Sequence, residues 1–145
     1  MSKYSGIWPV APTPFHHNGE VDYEGMKRVL DCMIEQGVDG ICILANFSEQ
    51  FLITDAEREA LSRLSLEHVA GRVPVIVTIS HYATHIVLQR ARLSKELGAA
   101  MVMMMPPYHG ALLKGTPDQT FEQFAKVGEV GIPIMIQDAP LSGVE

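Results

Sequence analysis

Five short runs of apolar residues recur along the chain, and each is continuously apolar or nearly so rather than alternating. Such runs predict strands that are covered on both faces, as in a parallel sheet. Their first residues lie 33, 33, 27 and 32 positions apart, which leaves room for a crossover helix between successive strands. The predicted strands are residues 7–11, 40–45, 73–79, 100–105 and 132–137.

The stretches between these runs carry helical patterns. Each pattern begins with a residue whose side chain can accept a hydrogen bond from the first helical turn, namely Asp22, Thr54, Thr84 and Thr116. Glu57 completes a capping box with Thr54, and Pro117 suits the first position of the fourth helix because no N–H donor is needed there. The sequence therefore predicts four βα units followed by a fifth strand.

This alternation implies right-handed βαβ crossovers and leaves two topologies open. One is a (β/α)8 TIM barrel, of which residues 1–145 would form the N-terminal part, with about five strands and four helices of a single domain. The other is a complete five-stranded flavodoxin-like sandwich. The residues after the fifth strand show no further helical pattern to cover that strand, which favours the barrel.

Composition narrows the classes of function. With 47% hydrophobic and 19% charged residues the chain is not disordered, and a net charge of −6 without basic runs argues against nucleic acid or an anionic membrane as partner. No apolar run approaches the roughly 20 residues of a membrane span, and three early prolines argue against a secretory signal. Two cysteines without CxxC spacing, Cys32 and Cys42, indicate buried thiols. We therefore expect a cytoplasmic protein.

In either topology the carboxyl ends of the strands carry the chemistry, because free backbone N–H groups converge there. After the second strand, Asn46, Phe47, Ser48 and Glu49 form a short polar loop whose N–H groups could cradle a carboxylate. An ordinary surface turn is the alternative. No basic residue neighbours Glu49 in the sequence, so we interpret it as a residue that fixes the loop backbone.

After the fourth strand the sequence reads Pro106, Pro107, Tyr108, His109, Gly110. The two prolines stiffen the exit from the strand, and the glycine allows the chain to turn. A phenol on such a rigid base suits positioned proton transfer. The alternative is an aromatic wedge that closes the end of the barrel.

The order APTPF, a loop ending in Glu49, PPYHG and IPIMIQDAP resembles the dihydrodipicolinate synthase / N-acetylneuraminate lyase superfamily of (β/α)8 barrels over essentially the whole chain. The family's GTTGE loop, which binds the carboxylate of a 2-keto acid, reads ANFSE here. The resemblance implies that Asn46, Phe47 and Ser48 bind substrate. The family's catalytic tyrosine in a PYY segment matches Tyr108, and His109 replaces the second tyrosine as a further substrate-binding residue.

The resemblance also implies residues that support the site, namely Thr13, Glu49, Asp138 and Pro140. Residues 137–140 read QDAP where the family commonly has YNxP. Together with LANFSEQF, SHYATH and PPYHGA, this departure resembles one branch, the 2-keto-3-deoxy-L-arabonate dehydratases. Dihydrodipicolinate synthesis and 2-keto-acid aldol chemistry are the alternatives within the superfamily.

Enzymes of this superfamily form a Schiff base between a lysine and a 2-keto acid, without a metal or organic cofactor. The resemblance implies that this lysine lies on the sixth strand, beyond Glu145, so we expect the 145-residue chain alone to be inactive. It also implies a homo-oligomer, a dimer or tetramer, acting on a small molecule.

Two rival interpretations of the function remain compatible with the sequence. A metal-dependent lyase or hydrolase would draw its ligands from the strand ends, with His81, His85, His109, Glu49 and Asp138 as candidates. A flavodoxin-like binding domain would not be an enzyme at all, but the segment APTPFHHNGE offers neither a glycine-rich phosphate loop nor an acidic cluster.

Overall fold

A computed structural model describes residues 4–109 and 113–138, with the backbone alone described at 108, 109, 113 and 114. The helices are α1 (Tyr23–Glu35), α2 (Asp55–Val69), α3 (Thr84–Glu96) and α4 (Pro117–Gly128). The strands are β1 (Ile41–Ile43), β2 (Val75–Thr78), β3 (Met101–Met104), β4 (Tyr108–His109), β5 (Leu113–Lys114) and β6 (Ile134–Ile136). A 3-10 helix spans Asn46–Ser48.

The main sheet is parallel and its strands follow one another in chain order, β1-β2-β3-β6. The segment before α1 joins the free edge of β1 through a parallel bridge between Val10 and Cys42. A flavodoxin-like sheet would insert that first segment between the next two strands. Direct pairing of β1 with β2 therefore excludes the flavodoxin-like alternative.

The first predicted strand is much shorter than expected, because residues 7–11 contribute one bridge rather than a ladder. The Ala11 N–H donates to the Cys42 carbonyl at 2.8 Å, and the Cys42 N–H donates to the Pro9 carbonyl at 2.9 Å. Pro9 has no N–H group to extend the pairing toward the amino terminus.

The two faces of the sheet bury different clusters. On the face covered by the helices, the core includes Ile41, Ile43, Val75, Val77, Val102 and Met104. The opposite face carries a smaller cluster of Cys42, Ala45, Ile76, Met101 and Met103, against which Tyr4, Trp8 and Val10 pack. The methionine run of β3 thus divides between the two faces as strand alternation requires, and the second face corresponds to the inside of a barrel.

Local signals account for the helix starts with one exception. Asp22 caps α1. Capping boxes begin α2, between Thr54 and Glu57, and α4, between Thr116 and Gln119. The prediction that Thr84 caps α3 is wrong: Ala83 occupies the N-cap position and Thr84 is the first helical residue. The Ala83 N–H donates to Nδ1 of His81 at 2.9 Å, which closes the turn without a side-chain cap.

One further prediction needs correction, and one element was not predicted. Cys42 is buried, but Cys32 is exposed, because it lies off the apolar stripe of α1 that contains Met26 and Leu30. The antiparallel hairpin of β4 and β5, which pairs Tyr108 with Lys114, was not predicted at all. Among residues 4–109 and 113–138, every helix is too short or too polar to cross a membrane.

Candidate active site at the carboxyl end of the sheet

The loop after β1 turns sharply within six residues. Leu44 and Glu49 both adopt left-handed backbone conformations, with φ of 59° and 58°, and the 3-10 helix lies between them. The N–H of Ser48 donates to the Ala45 carbonyl at 2.9 Å, and the N–H of Glu49 donates to the Asn46 carbonyl at 3.0 Å. The N–H of Phe47 belongs to the first turn of this helix, where helical geometry supplies no acceptor.

Thr13 and Ser48 lock the loop to the first segment of the chain. The Thr13 hydroxyl donates to the Ser48 carbonyl at 2.8 Å, and the Ser48 hydroxyl donates to the Ala11 carbonyl at 2.6 Å. Both side chains are buried. Thr13 therefore holds the loop backbone, and the hydroxyl hydrogen of Ser48 is already donated within the fold.

The side chain of Asn46 is held from two directions. Gln50 Nε2 donates to Asn46 Oδ1 at 2.6 Å, and Asn46 Nδ2 contacts the Sδ atom of Met105 at 3.8 Å. Phe47, by contrast, is 85% exposed and projects from the loop. Glu49 is also exposed, and it is its backbone that shapes the loop, since its carbonyl accepts from Leu52 N–H at 2.8 Å.

Arg58 of α2 connects the loop after β1 to the ends of β1 and β2. The sequence did not identify it as a site residue. It is 5% exposed, and its guanidinium donates to the Thr78 carbonyl at 2.6 Å and to Gln50 Oε1 at 3.0 Å, with a longer contact of 3.4 Å to the Leu44 carbonyl. Burial lowers the pKa of Arg58. The sequence did contain one signal, because Arg58 lies three residues before Leu61 and therefore on the buried side of α2. An arginine at that position is equally compatible with a surface residue.

The ends of β2 and β3 are tied together beside this loop. The N–H of Met105 donates to the Ser80 hydroxyl at 2.9 Å, and Arg90 donates to the Ser80 carbonyl at 2.6 Å. Arg90 also bonds Asp55 at 2.8 Å, which lowers the pKa of that carboxyl. A cleft of about 440 Å³ lies here, lined among others by Gln50, Arg58, Ser80 and Met105.

Among the described side chains, which do not include that of His109, the histidines at this end do not meet the other candidate ligands of the rival interpretation. His81 is partly buried, and burial together with the nearby Arg90 lowers its pKa. Its Nδ1 atom accepts the Ala83 N–H, and its ring stacks on Tyr82 at 4.2 Å between centroids. Within the described parts of the chain, no three side chains of His, Cys, Asp or Glu converge as metal ligands.

The other predicted site residues lie at the ends of β3 and β6. Tyr108 and His109 form β4, so their backbone follows directly on the rigid exit from β3. Asp138 lies at the carboxyl end of β6 and is exposed, whereas Pro140 lies outside the described residues. The topology thus brings the segments of Thr13, Asn46, Tyr108 and Asp138 to one edge of the sheet.

Comparisons with known proteins agree with this arrangement. A family model described as the dihydrodipicolinate synthetase family matches residues 3–145. The chain is 58% identical over 142 residues to an L-2-keto-3-deoxyarabonate dehydratase of Azospirillum brasilense, covering 97% of this chain and 46% of that protein. It is 31% identical over 129 residues to a 4-hydroxy-tetrahydrodipicolinate synthase of Methylibium petroleiphilum, covering 88% and 43%.

Solved structures give the same result. A putative dihydrodipicolinate synthetase from Pseudomonas aeruginosa superposes with a TM-score of 0.90 at 31% identity, covering 95% of this chain and 47% of that one. An N-acetylneuraminate lyase from Mycoplasma synoviae gives 0.85 at 27% identity, covering 93% and 46%. The chain spans about half the length of the relatives it matches. These matches confirm the predicted fold class, an α/β chain that corresponds to about half of a TIM barrel.

Proposed function

Because the chain belongs to the dihydrodipicolinate synthetase family, we propose that it supplies the carboxylate-binding part of a Schiff-base lyase that acts on 2-keto acids. The observation that carries this proposal is the 58% identity to an L-2-keto-3-deoxyarabonate dehydratase over nearly the whole chain. The substrate we propose is accordingly 2-keto-3-deoxy-L-arabonate, and the product is 2-oxoglutarate semialdehyde. No metal or organic cofactor takes part in this chemistry.

In this proposal the loop after β1 holds the substrate carboxylate. The Phe47 N–H belongs to the first turn of the 3-10 helix. We assign the Asn46–Phe47 backbone to carboxylate binding because it occupies the position in the sequence that matches the family's carboxylate-binding loop. The buried bonds of Thr13 and Ser48 keep that backbone in place. A preorganised donor of this kind needs no reorganisation when the anion binds.

The imine is proposed to form on a lysine outside this chain. Lys27 bonds Glu24 at 2.7 Å, Lys95 bonds the Val130 carbonyl at 2.7 Å, and Lys126 lies in the last turn of α4. These lysines are on helices, away from the carboxyl end of the sheet where the loop after β1 lies.

The chemistry then follows from the imine as electron sink. Loss of a C3 proton gives an enamine, which expels the C4 hydroxyl as water, and further proton shifts and hydrolysis release the semialdehyde and the free lysine. We assign Tyr108 to the proton transfers, because its backbone continues the rigid Pro106–Pro107 exit of β3. His109 would contact the substrate beside it, and Glu49, Asp138 and Pro140 would support the site.

Association into a homo-oligomer and a cytoplasmic location complete the proposal. Phe121 is exposed on α4, and such an apolar side chain favours burial against further protein. The unpaired thiols of Cys32 and Cys42 suit a reducing compartment.

The proposal is tested with a chimera in which residues 1–145 replace the matching part of the Azospirillum brasilense dehydratase. We expect it to dehydrate 2-keto-3-deoxy-L-arabonate and to leave pyruvate plus aspartate semialdehyde unreacted. The second candidate is a synthase, which the 31% identity to a 4-hydroxy-tetrahydrodipicolinate synthase keeps open. Condensation of pyruvate with the semialdehyde, without dehydration of the sugar acid, would establish that candidate instead.

A further inference from the structure

Gln137 continues the pleat of β6 at its carboxyl end. Its N–H donates to the Met104 carbonyl at 3.0 Å, which extends the pairing of β3 with β6 by one residue. Because side chains alternate along a strand, Gln137 shares a face with Met135. Met135 lies opposite Met103 of the inner cluster. Gln137 therefore belongs to the inner face of the barrel, one layer nearer the mouth.

This layer also contains the loop proposed to bind the carboxylate. The register pairs Met104 with Ile136, so the next residues across the two strands are Met105 and Gln137. The Sδ atom of Met105 is in turn the contact of Asn46 Nδ2. Asn46, Met105 and Gln137 thus form a row across the inner face at the carboxyl end, with polar side chains at both ends and a thioether between them.

The amide oxygen of Gln137 has an unusual environment in this row. It is buried, and none of the described residues donates a hydrogen bond to it. A buried carbonyl oxygen without a donor is unfavourable, and native structures contain few of them. Two other such atoms, on Ser65 and Gln123, belong to α2 and α4, which cover the outer face of the sheet. Gln137, by contrast, is on the inner face.

We propose that Gln137 Oε1 accepts a hydrogen bond from a substrate hydroxyl, and that Gln137 thereby selects 2-keto acids that carry a hydroxyl at C4 or C5. This inference rests on the proposed function. A bound 2-keto acid with its carboxylate on the Asn46–Phe47 loop extends across Met105 toward Gln137, and its far end presents hydroxyl donors. Pyruvate has no such donor and would leave the oxygen unpaired, and sites built to bond a hydroxyl discriminate strongly against analogues that lack it.

The experiment compares Gln137→Met, which has nearly the same shape but no acceptor, with Gln137→Glu, which keeps an acceptor oxygen, in the chimera. We expect Gln137→Met to lower kcat/KM for 2-keto-3-deoxy-L-arabonate about five- to tenfold, mainly through KM, as for one lost hydrogen bond. Borohydride trapping of pyruvate should not change. Gln137→Glu should recover most of the loss, and Gln89→Met, at an exposed glutamine on α3, is the matched control.

Two results would overturn the inference while leaving the proposed function standing. One is an unchanged KM in Gln137→Met, and the other is an equal loss of sugar-acid turnover and pyruvate trapping in a variant that still folds by circular dichroism. Failure of the proposed function is recognised separately, because the unmodified chimera would then not dehydrate 2-keto-3-deoxy-L-arabonate, and the assignment of Gln137 would fall with it.

Discussion

Arg58 offers the sharpest test of how the fold supports the candidate site. Its guanidinium joins the carbonyl groups at the ends of β1 and β2 to Gln50, which holds Asn46 in turn. Replacing Arg58 with methionine keeps the apolar stem and removes every one of these donors. We expect the variant to be less stable and to bind 2-keto acids more weakly, because the loop loses its anchor.

The expected loss follows from the contacts. The bonds to the Thr78 carbonyl and Gln50 Oε1, at 2.6 and 3.0 Å, have ordinary lengths, whereas the contact to Leu44 at 3.4 Å is long. Two bonds from a charged donor are worth about 1.5–3 kcal/mol each, and relief from burying the guanidinium offsets part of that sum. We therefore expect a loss of about 2–4 kcal/mol in the free energy of unfolding.

The assay is urea unfolding of the chimera, followed by fluorescence and circular dichroism, for Arg58→Met and for Arg63→Met. Arg63 lies on the same helix but is exposed and pairs with Glu59 at 2.9 Å, so its loss should cost less than about 0.5 kcal/mol. In parallel, KM for 2-keto-3-deoxy-L-arabonate should rise in the Arg58 variant alone. Equal stability of the two variants, or an unchanged KM, would refute the reasoning.

Three further predictions concern the loop, the first helix and the missing amine. Ser48→Ala should cost about 1–3 kcal/mol in urea unfolding, because the buried Ala11 carbonyl loses its donor, and wild-type stability would contradict this. A hydrogen bond from the Gly25 N–H lowers the pKa of the Asp22 carboxyl from its ordinary value of 3.8. The ionised carboxylate therefore stabilises the folded state fully above about pH 4, and this stabilisation is lost as the pH falls through the pKa of Asp22 in the folded protein. In the variant Asp22→Asn, the side chain still caps α1 but does not titrate in this range. Its unfolding midpoint should therefore fall less than the wild-type midpoint as the pH is lowered. Equal falls of the two midpoints would be inconsistent with this cause. Borohydride with pyruvate should leave the isolated 145-residue chain unmodified by mass spectrometry, and an adduct on Lys114 would show that the amine lies within it.

Features that depend on adjacent residues were predictable from the sequence. The capping box of Thr54 and Glu57 involves groups three residues apart and forms where predicted, and Thr116 caps α4 as predicted. The capping box that Thr116 forms with Gln119 has the same spacing but was not predicted. The division of the Met101–Met104 run between two faces follows from strand alternation. The parallel order of strands could be narrowed to two topologies, and pairing of β1 with β2 decided between them.

Features that depend on distant groups were not predictable in this way. Thr84 looks like a cap, but its hydroxyl lies 3.4 Å from Gln123 Nε2 of α4, and Ala83 takes the cap position. In the sequence, Arg58 is one of several charged residues of α2. Its role depends on the carbonyl groups at the ends of two strands, which only the fold brings next to it. The roles assigned to Asn46, Phe47 and Tyr108 came from resemblance to a family, because four or five residues of loop sequence do not specify a ligand.

The claim that the Asn46–Phe47 backbone holds the keto-acid carboxylate is tested most directly by removing one N–H group. In the chimera, Phe47 is replaced by its α-hydroxy acid, which turns the preceding amide into an ester, and Phe47→Ala serves as the side-chain control. We expect the ester to raise the pyruvate concentration for half-maximal borohydride trapping about tenfold or more, as for a lost charge-assisted hydrogen bond, while Phe47→Ala changes it little. Equal trapping by the folded ester protein and by Phe47→Ala would contradict the account.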